Sequence, residues 1–311
     1  MNLEIILSSI TVSYLSLFVF QKVFLKKGIT DKINSRSSHS SIATRNGGIA
    51  IFLSVFIISS ISYLIGYELF DFSILVPLMI LLTVGLYDDI YGVDFKLKFI
   101  FQIIFAKIII DSGFIIDNLH GVFGIYEISR IFAQLLSIFI ITGIINAINF
   151  IDGIDGLLIS VITFFVIMFE LLSTGSSKFF NLSIILVFSF IPLMYFNMRK
   201  NNKVFLGDSG SLFIGGIVAI YVMYICSSEY LILEYYDINK IFFVFSILIY
   251  PIIDIIRIIF VRLIRGKSPF SADNNHIHHI LLDNLTDHYK VVFAIVLLTI
   301  TNFTIIHYLL I

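Results

Sequence analysis

Ten apolar segments, each close to the length of one bilayer crossing, divide this 311-residue chain and leave few folds open to it. They cover residues 3–24, 49–64, 73–87, 99–116, 131–148, 157–172, 179–196, 212–225, 241–259 and 291–309. An α-helix needs about 20 apolar residues to cross a hydrocarbon core of ~30 Å, whereas a barrel strand reads as an alternation of about ten. Unbroken blocks of this length predict an all-α, polytopic integral membrane protein with about ten transmembrane helices. Charged residues make up 13% of the chain, against about 25% in soluble domains. No internal repeat or separate soluble stretch is visible, so residues 1–311 read as a single transmembrane domain. The first segment lacks a basic leader and a small-residue cleavage site, which predicts a retained anchor. One cysteine, Cys226, excludes an intramolecular disulfide, and a net charge of −1 without a basic tail argues against a nucleic-acid partner.

An even number of crossings puts both termini on one side and sorts the loops into two sets. Of the 20 Lys and Arg, all but Lys107, Arg130, Lys178 and Lys240 fall in or beside one set. The positive-inside rule makes that set cytoplasmic and places both termini outside. Lys107 lies within the fourth segment, where Asp111 is one turn away.

The polar chemistry shares the cytoplasmic face. Asp88 and Asp89 end the third segment; NAINFIDGIDGL, residues 146–157, joins the fifth to the sixth; VFLGDSGS, residues 204–211, opens the eighth; and NHIHH, residues 275–279, precedes the tenth. Each motif has an ordinary explanation. Asp at a helix start is a common cap worth about 1 kcal/mol, and glycines beside it make turns. Together they ask for more. Asp88, Asp89, Asp152, Asp155 and Asp208 near three segment ends exceed what capping requires, and ionisable groups are expensive at membrane depth. Converging carboxylates repel unless a cation offsets them, and Mg²⁺ takes one or two carboxylates with water and phosphate. The backbone N–H groups at the starts of GDSGS and DGIDG suit an anion, and Arg45, Lys203, Arg257 and Arg262 lie on the same face. His276, His278, His279 and His288 are open to a zinc site, a phosphate or substrate contact, or a solvated loop. Asp254 and Arg257, three apart, read as an internal ion pair or as substrate contacts. A transporter is the reading from another class, although its ionisable groups belong near the midplane.

Taken in order, the DD pair, NxxNxxDGxDGL, FN followed by KVFLGDSGS, and SPFxxDxxHIHH resemble the polyprenyl-phosphate N-acetylhexosamine-1-phosphate transferases, glycosyltransferase family 4. The resemblance spans roughly residues 31–282. It implies a helical bundle with a cytoplasmic active site in the inner (plasma) membrane. The activity implied is transfer of a sugar 1-phosphate from a UDP-N-acetylhexosamine to undecaprenyl (polyprenyl) phosphate, with Mg²⁺ or alternatively Mn²⁺, releasing UMP. Such a product primes a cell-envelope glycan, O-antigen lipopolysaccharide or cell-wall polymer. By motif, Asp88 is the implied base with Asp89 beside it, and Asp208 the principal metal ligand with Asp89 as second. Asn149, Asp152, Gly153, Asp155 and Asn197 line the implied nucleotide-sugar pocket, Phe205 stacks on uracil, and Arg45 and Lys203 meet phosphate. His276, His278 and His279 are tied to diphosphate binding and catalysis. HIHH resembles the branch using UDP-GlcNAc or a related sugar; the branch handling UDP-MurNAc-pentapeptide, the alternative, has three consecutive histidines, which Ile277 interrupts here. Homodimers occur in the family. The chain departs from it at Ile33 and Thr44, where prolines are frequent, and at Asn201 and Asn202, where Pro-Ala is common, which predicts less rigid loops.

Overall fold

The computed structural model describes residues 2–31, 42–119, 121–227, 230–232, 240–268 and 275–310. Arg36, His39 and Ile33 of the first loop, and residues 269–274 of the SPFSAD stretch, lie outside them. Every apolar segment contains a helix. In chain order these are α1 (Asn2–Lys26), α2 (Gly47–Leu64), α3 (Leu75–Tyr91), α4 (Phe95–Asp111), α5 (Arg130–Phe150) and α6 (Leu157–Leu171). The second half adds α7 (Phe180–Asn197), α8 (Gly207–Cys226), α9 (Lys240–Ile247), α10 (Ile249–Ile264), α11 (Ile277–Leu285) and α12 (His288–Leu310). Among the described residues, 7 helices are long and apolar enough to cross a membrane, or 8 if α9 and α10, bent by 81°, form one span. Helix α4, with 17 residues, and α6, with 15, fall short of the roughly 20 that a full crossing takes. The protein is therefore a multi-pass helical membrane protein.

Helix α8 is the axis. All its residues from Ser209 to Cys226 are buried, and it packs against α2, α3 and α5. Apolar surface gains little by leaving lipid for protein, so membrane helices associate where small residues let backbones meet. Here a Cβ at Gly48 of α2 would stand 2.2 Å from the Gly210 nitrogen, and one at Gly85 of α3 2.4 Å from the Asp208 carbonyl. Polar pairs supply the second adhesive. Asn146 of α5 and Gln102 of α4 exchange reciprocal amide hydrogen bonds at 2.7 and 3.3 Å. The Ser13 hydroxyl of α1 donates to the Ser189 carbonyl of α7 at 2.8 Å. Lys107 pairs with Asp111, one turn on.

A two-stranded parallel ladder ties two loops together at the polar end. Strand β1 (Ala43–Thr44) pairs with β2 (Lys203–Val204). The pairing continues as Gly47 N–H and Gly48 N–H donate to the carbonyls of Phe205 and Leu206 at 3.0 and 2.9 Å. These bonds satisfy the first donors of α2, which have no partner inside the helix. Thr44 is thus part of a strand. Asn202 takes a φ of 52°, a left-handed conformation that Asn tolerates better than Ala, and its carbonyl accepts the Gln21 amide at 2.7 Å. Thr44 and Asn202 are thus each tied into backbone hydrogen bonds, while Ile33 lies outside the described residues.

Candidate active site

The end of α3 meets the start of α8, and this junction gathers the acidic residues. The Asp89 carboxylate accepts the N–H groups of Asp208 at 2.9 Å and Ser209 at 3.0 Å. It caps α8 from another helix, and the side chain is only 1% exposed. Gly207 makes the approach feasible: its φ is +76°, and a Cβ there would lie 2.6 Å from an Asp89 oxygen. Asp89 was expected beside Asp208 as a metal ligand. In this geometry each of its oxygens accepts one backbone N–H, which ties Asp89 to the start of α8.

Asp88 is the residue that pairs with Asp208. Lys98, on the first turn of α4, donates from one Nζ to Asp88 Oδ2 at 3.0 Å and to Asp208 Oδ2 at 2.7 Å. The other Asp88 oxygen accepts Val93 N–H at 2.6 Å, which closes the short turn between α3 and α4. Among the described residues no group of three His, Cys, Asp or Glu could hold a metal ion by itself. The two carboxylate oxygens that share the Lys98 ammonium are of the type that could serve Mg²⁺, which takes one or two carboxylates and leaves the remaining positions to water and phosphate. Arg45 stands over this floor, 2.5 Å from Asp31 and 3.7 Å from Asp89. Burial opposes its charge, but Asp31, Asp89 and Asp208 outweigh that and raise its pKa.

The DGIDG loop forms the next wall, and its two carboxylates differ. Burial first, then repulsion from Asp208 and Asp89, push the Asp152 carboxyl well above its ordinary range. Burial acts on Asp155 as well, yet hydrogen bonds from His288 and Lys203 override it and hold this carboxyl low. His288 Nδ1 lies 2.9 Å from Asp155 Oδ2, and Lys203 bonds the same oxygen. Asp155 therefore joins three segments distant in sequence. Asn197 does similar work: its Oδ1 accepts Gly156 N–H at 2.7 Å and its Nδ2 donates to the Val204 carbonyl at 3.0 Å. Asn149 donates to the Ser211 hydroxyl at 2.7 Å.

Histidines pack against this loop. A Cβ at Gly153 would stand 2.5 Å from His278 Nε2 and 3.3 Å from His279 Nε2, so this glycine gives the rings their place. The His278 and His279 rings are 4.4 Å apart, and His276 lies 5.4 Å from both Phe150 and His278. Burial and the neighbouring imidazoles His279 and His276 lower His278 to about 3. Burial and His276 lower His279 as well.

The structure thus joins Asp88 to Asp208, Arg45 to Asp89, Lys203 to Asp155 and Gly153 to the histidines. Phe205 is half-buried, with its backbone in the loop ladder. Two basic candidates are spent elsewhere: Arg257 on the Asn275 carbonyl and, at 3.5 Å, Asp254, and Arg262 over the Phe150 ring. Lys98 was counted only as a loop charge in the sequence. Its signal was there, since a turn of three residues returns the chain past Asp88.

Comparison with known proteins agrees with this arrangement. Residues 72–226, which carry the DD pair, DGIDG and GDSGS, match the model of glycosyl transferase family 4. The chain is 33% identical over 275 residues to the probable undecaprenyl-phosphate N-acetylglucosaminyl 1-phosphate transferase of Bacillus subtilis (strain 168), covering 85% of this chain and 72% of that protein. It is 30% identical to the undecaprenyl-phosphate alpha-N-acetylglucosaminyl 1-phosphate transferase of Yersinia pestis, covering 86% and 73%. The protein of the same name from Escherichia coli (strain K12) is 28% identical with the same coverage.

Proposed function

From the premise that the chain belongs to glycosyl transferase family 4, we propose that it transfers N-acetylglucosamine 1-phosphate from UDP-GlcNAc to undecaprenyl phosphate, releasing UMP. The single observation that carries this reading is the Asp88–Lys98–Asp208 cluster beside the DGIDG loop, whose Asp152 feels the Asp208 charge and whose Gly153 abuts His278. The relatives' printed activity and the HIHH motif supply the sugar. Ten crossings with both termini outside, in the plasma membrane, put this end in the cytoplasm, where a water-soluble UDP-sugar arrives. A polyprenyl tail then lies along the helices with its phosphate at the interface.

The two substrates are both anions, so the chain's first task is to bring them together. Lys98 and Arg45 offset their charge, and a rigid floor holds them for in-line attack. An oxygen of the lipid phosphate forms a bond to the β-phosphorus of the donor, and the bond from that phosphorus to the bridging oxygen of UMP breaks. Asp88, at the rim of the floor, orients the attacking phosphate and accepts its proton. Asp208 with Asp88 would hold Mg²⁺, which would supply charge neutralisation at the diphosphate. Asp152, Asn149 and Asn197 shape the nucleotide-sugar pocket, and Phe205 stacks on the uracil.

Exchange chemistry tests the proposal. Membranes containing the protein should incorporate label from UMP into UDP-GlcNAc, in a reaction requiring Mg²⁺ and polyprenyl phosphate. No exchange with any UDP-N-acetylhexosamine would overturn it.

A further inference from the structure

Two side chains one turn apart on α10, Tyr250 and Asp254, reach from that helix to the histidines. Neither lies in the motifs that carry the family resemblance. Asp254 Oδ2 is 2.6 Å from His276 Nδ1, and Asp254 Oδ1 accepts Ile277 N–H at 2.8 Å, which starts α11. The Tyr250 hydroxyl is 3.0 Å from His278 Nδ1.

The proton positions follow from counting donors. An ionised carboxylate only accepts, so its bond to His276 requires a proton on Nδ1, and in the neutral ring that leaves Nε2 bare. A tyrosine hydroxyl can donate or accept. His278 is 0% exposed, and burial keeps its ring neutral, with one N–H to place. A proton on Nδ1 would leave the Tyr250 proton without an acceptor and Nε2 as a buried bare acceptor. A donating Tyr250 satisfies Nδ1 and leaves one group over, an Nε2–H. That nitrogen has no protein partner among the described residues, and it faces Gly153, which has no side chain to cover it.

We infer that Tyr250 and Asp254 are positioning residues that hold His278 and His276 in opposite tautomers, so that His276 presents a bare acceptor nitrogen and His278 an N–H donor. A site that must accept a proton at one place and bind an anionic oxygen at another needs both forms side by side. That functional part rests on the transferase reading. The tautomers themselves do not.

Ring-¹⁵N NMR of the full chain, histidine-labelled in detergent and assigned with His276→Gln and His278→Gln, reads them directly. The expected result is an Nδ1–H signature for His276 and an Nε2–H signature for His278. Asp254→Asn should reverse His276, because the new amide must turn its oxygen to Ile277 N–H and its NH₂ to the ring. The same variant should lower kcat for UMP exchange about 10–100-fold, the range found for residues that orient a working histidine, with KM for the UDP-sugar little changed. Tyr250→Phe should free His278 from its single tautomer without altering His276. Matching tautomers in the two rings, or an unchanged His276 spectrum in Asp254→Asn, would overturn the inference. Correct tautomers in a chain with no exchange activity would instead refute the transferase reading alone.

Discussion

Lys98 Nζ lies 2.7 Å from Asp208 Oδ2, across 110 residues of sequence. The same ammonium reaches Asp88 at 3.0 Å, so one cation holds two carboxylates that would otherwise repel. Lys98→Gln removes that charge and leaves both acids facing each other. The variant should bind Mg²⁺ about tenfold more tightly, equivalent to ~1.4 kcal/mol, while turnover falls because the donor diphosphate loses a counter-charge. Calorimetric titration with Mg²⁺ checks it, and an unchanged affinity would remove Lys98 from the cation position.

The adjacent acids Asp88 and Asp89 should separate cleanly. Asp88→Asn is expected to depress kcat at least tenfold while the melting temperature stays near that of the parent. Asp89→Asn keeps an oxygen for one of the two backbone N–H groups but places its NH₂ against the other, and should cost about 1–3 kcal/mol of stability, the usual penalty for a buried group left unsatisfied. Thermal unfolding in detergent beside UMP exchange distinguishes them. Equal effects of both substitutions on both readouts would refute the division.

Asp155 gives the fold a dependence on pH. Burial alone would raise its pKa, but His288 and Lys203 hold it below the ordinary carboxylate range. A depressed folded-state pKa means the ionised form belongs to the folded protein. Its contribution is complete above the unfolded value, about pH 4, and is lost as pH falls through the lower folded value. The stability gap between parent and Asp155→Asn should therefore be widest near neutrality and close below about pH 4. A gap that stays constant from pH 7 to pH 3 contradicts the assignment.

Gly48 and Gly143 form a matched test of packing. A Cβ at Gly48 would intrude on Gly210, whereas one at Gly143 meets nothing within 4 Å. Gly48→Ala should destabilise by about 1–3 kcal/mol or more through overpacking. Gly143→Ala should be neutral or stabilising by up to about 1 kcal/mol, as for Gly to Ala within a helix. Comparable losses in both would mean that α2 and α8 can part at little cost.

The Gln102–Asn146 pair predicts non-additivity. Gln102→Leu leaves Asn146 Oδ1 without its donor while Nδ2 keeps the Thr142 carbonyl at 2.8 Å, and should cost about 1–2 kcal/mol, while the double Leu variant recovers part of the loss. Additive losses in the unfolding midpoints would show that Asn146 acts elsewhere.

Hydrophobic blocks made the helices legible, because a crossing length needs no tertiary information. The same rule is weaker at α4 and α6, whose helices have 17 and 15 residues, and at Leu248, where an 81° bend splits one apolar run. No periodicity marks such a bend. In the site, the motifs pointed to residues that the fold brings near one another but could not assign their bonds. Asp88 and Asp89 are chemically identical neighbours, and only the helical turn between them sends one to Lys98 and the other beneath α8. Asp254 was read beside Arg257 at helical spacing; its shorter bond runs to His276, a contact that local spacing cannot reveal.

The burial of α8 has a consequence for how the protein is made. Its main neighbours, α2, α3 and α5, precede it in the chain, and α9, with a smaller contact, follows. During synthesis from the N-terminus the socket exists before its occupant, and α8 leaves the translocation machinery for a protein surface already shaped to receive it. Glycines 48 and 85, which its backbone covers, are the part of that socket most exposed to mispairing if synthesis stalls before residue 207.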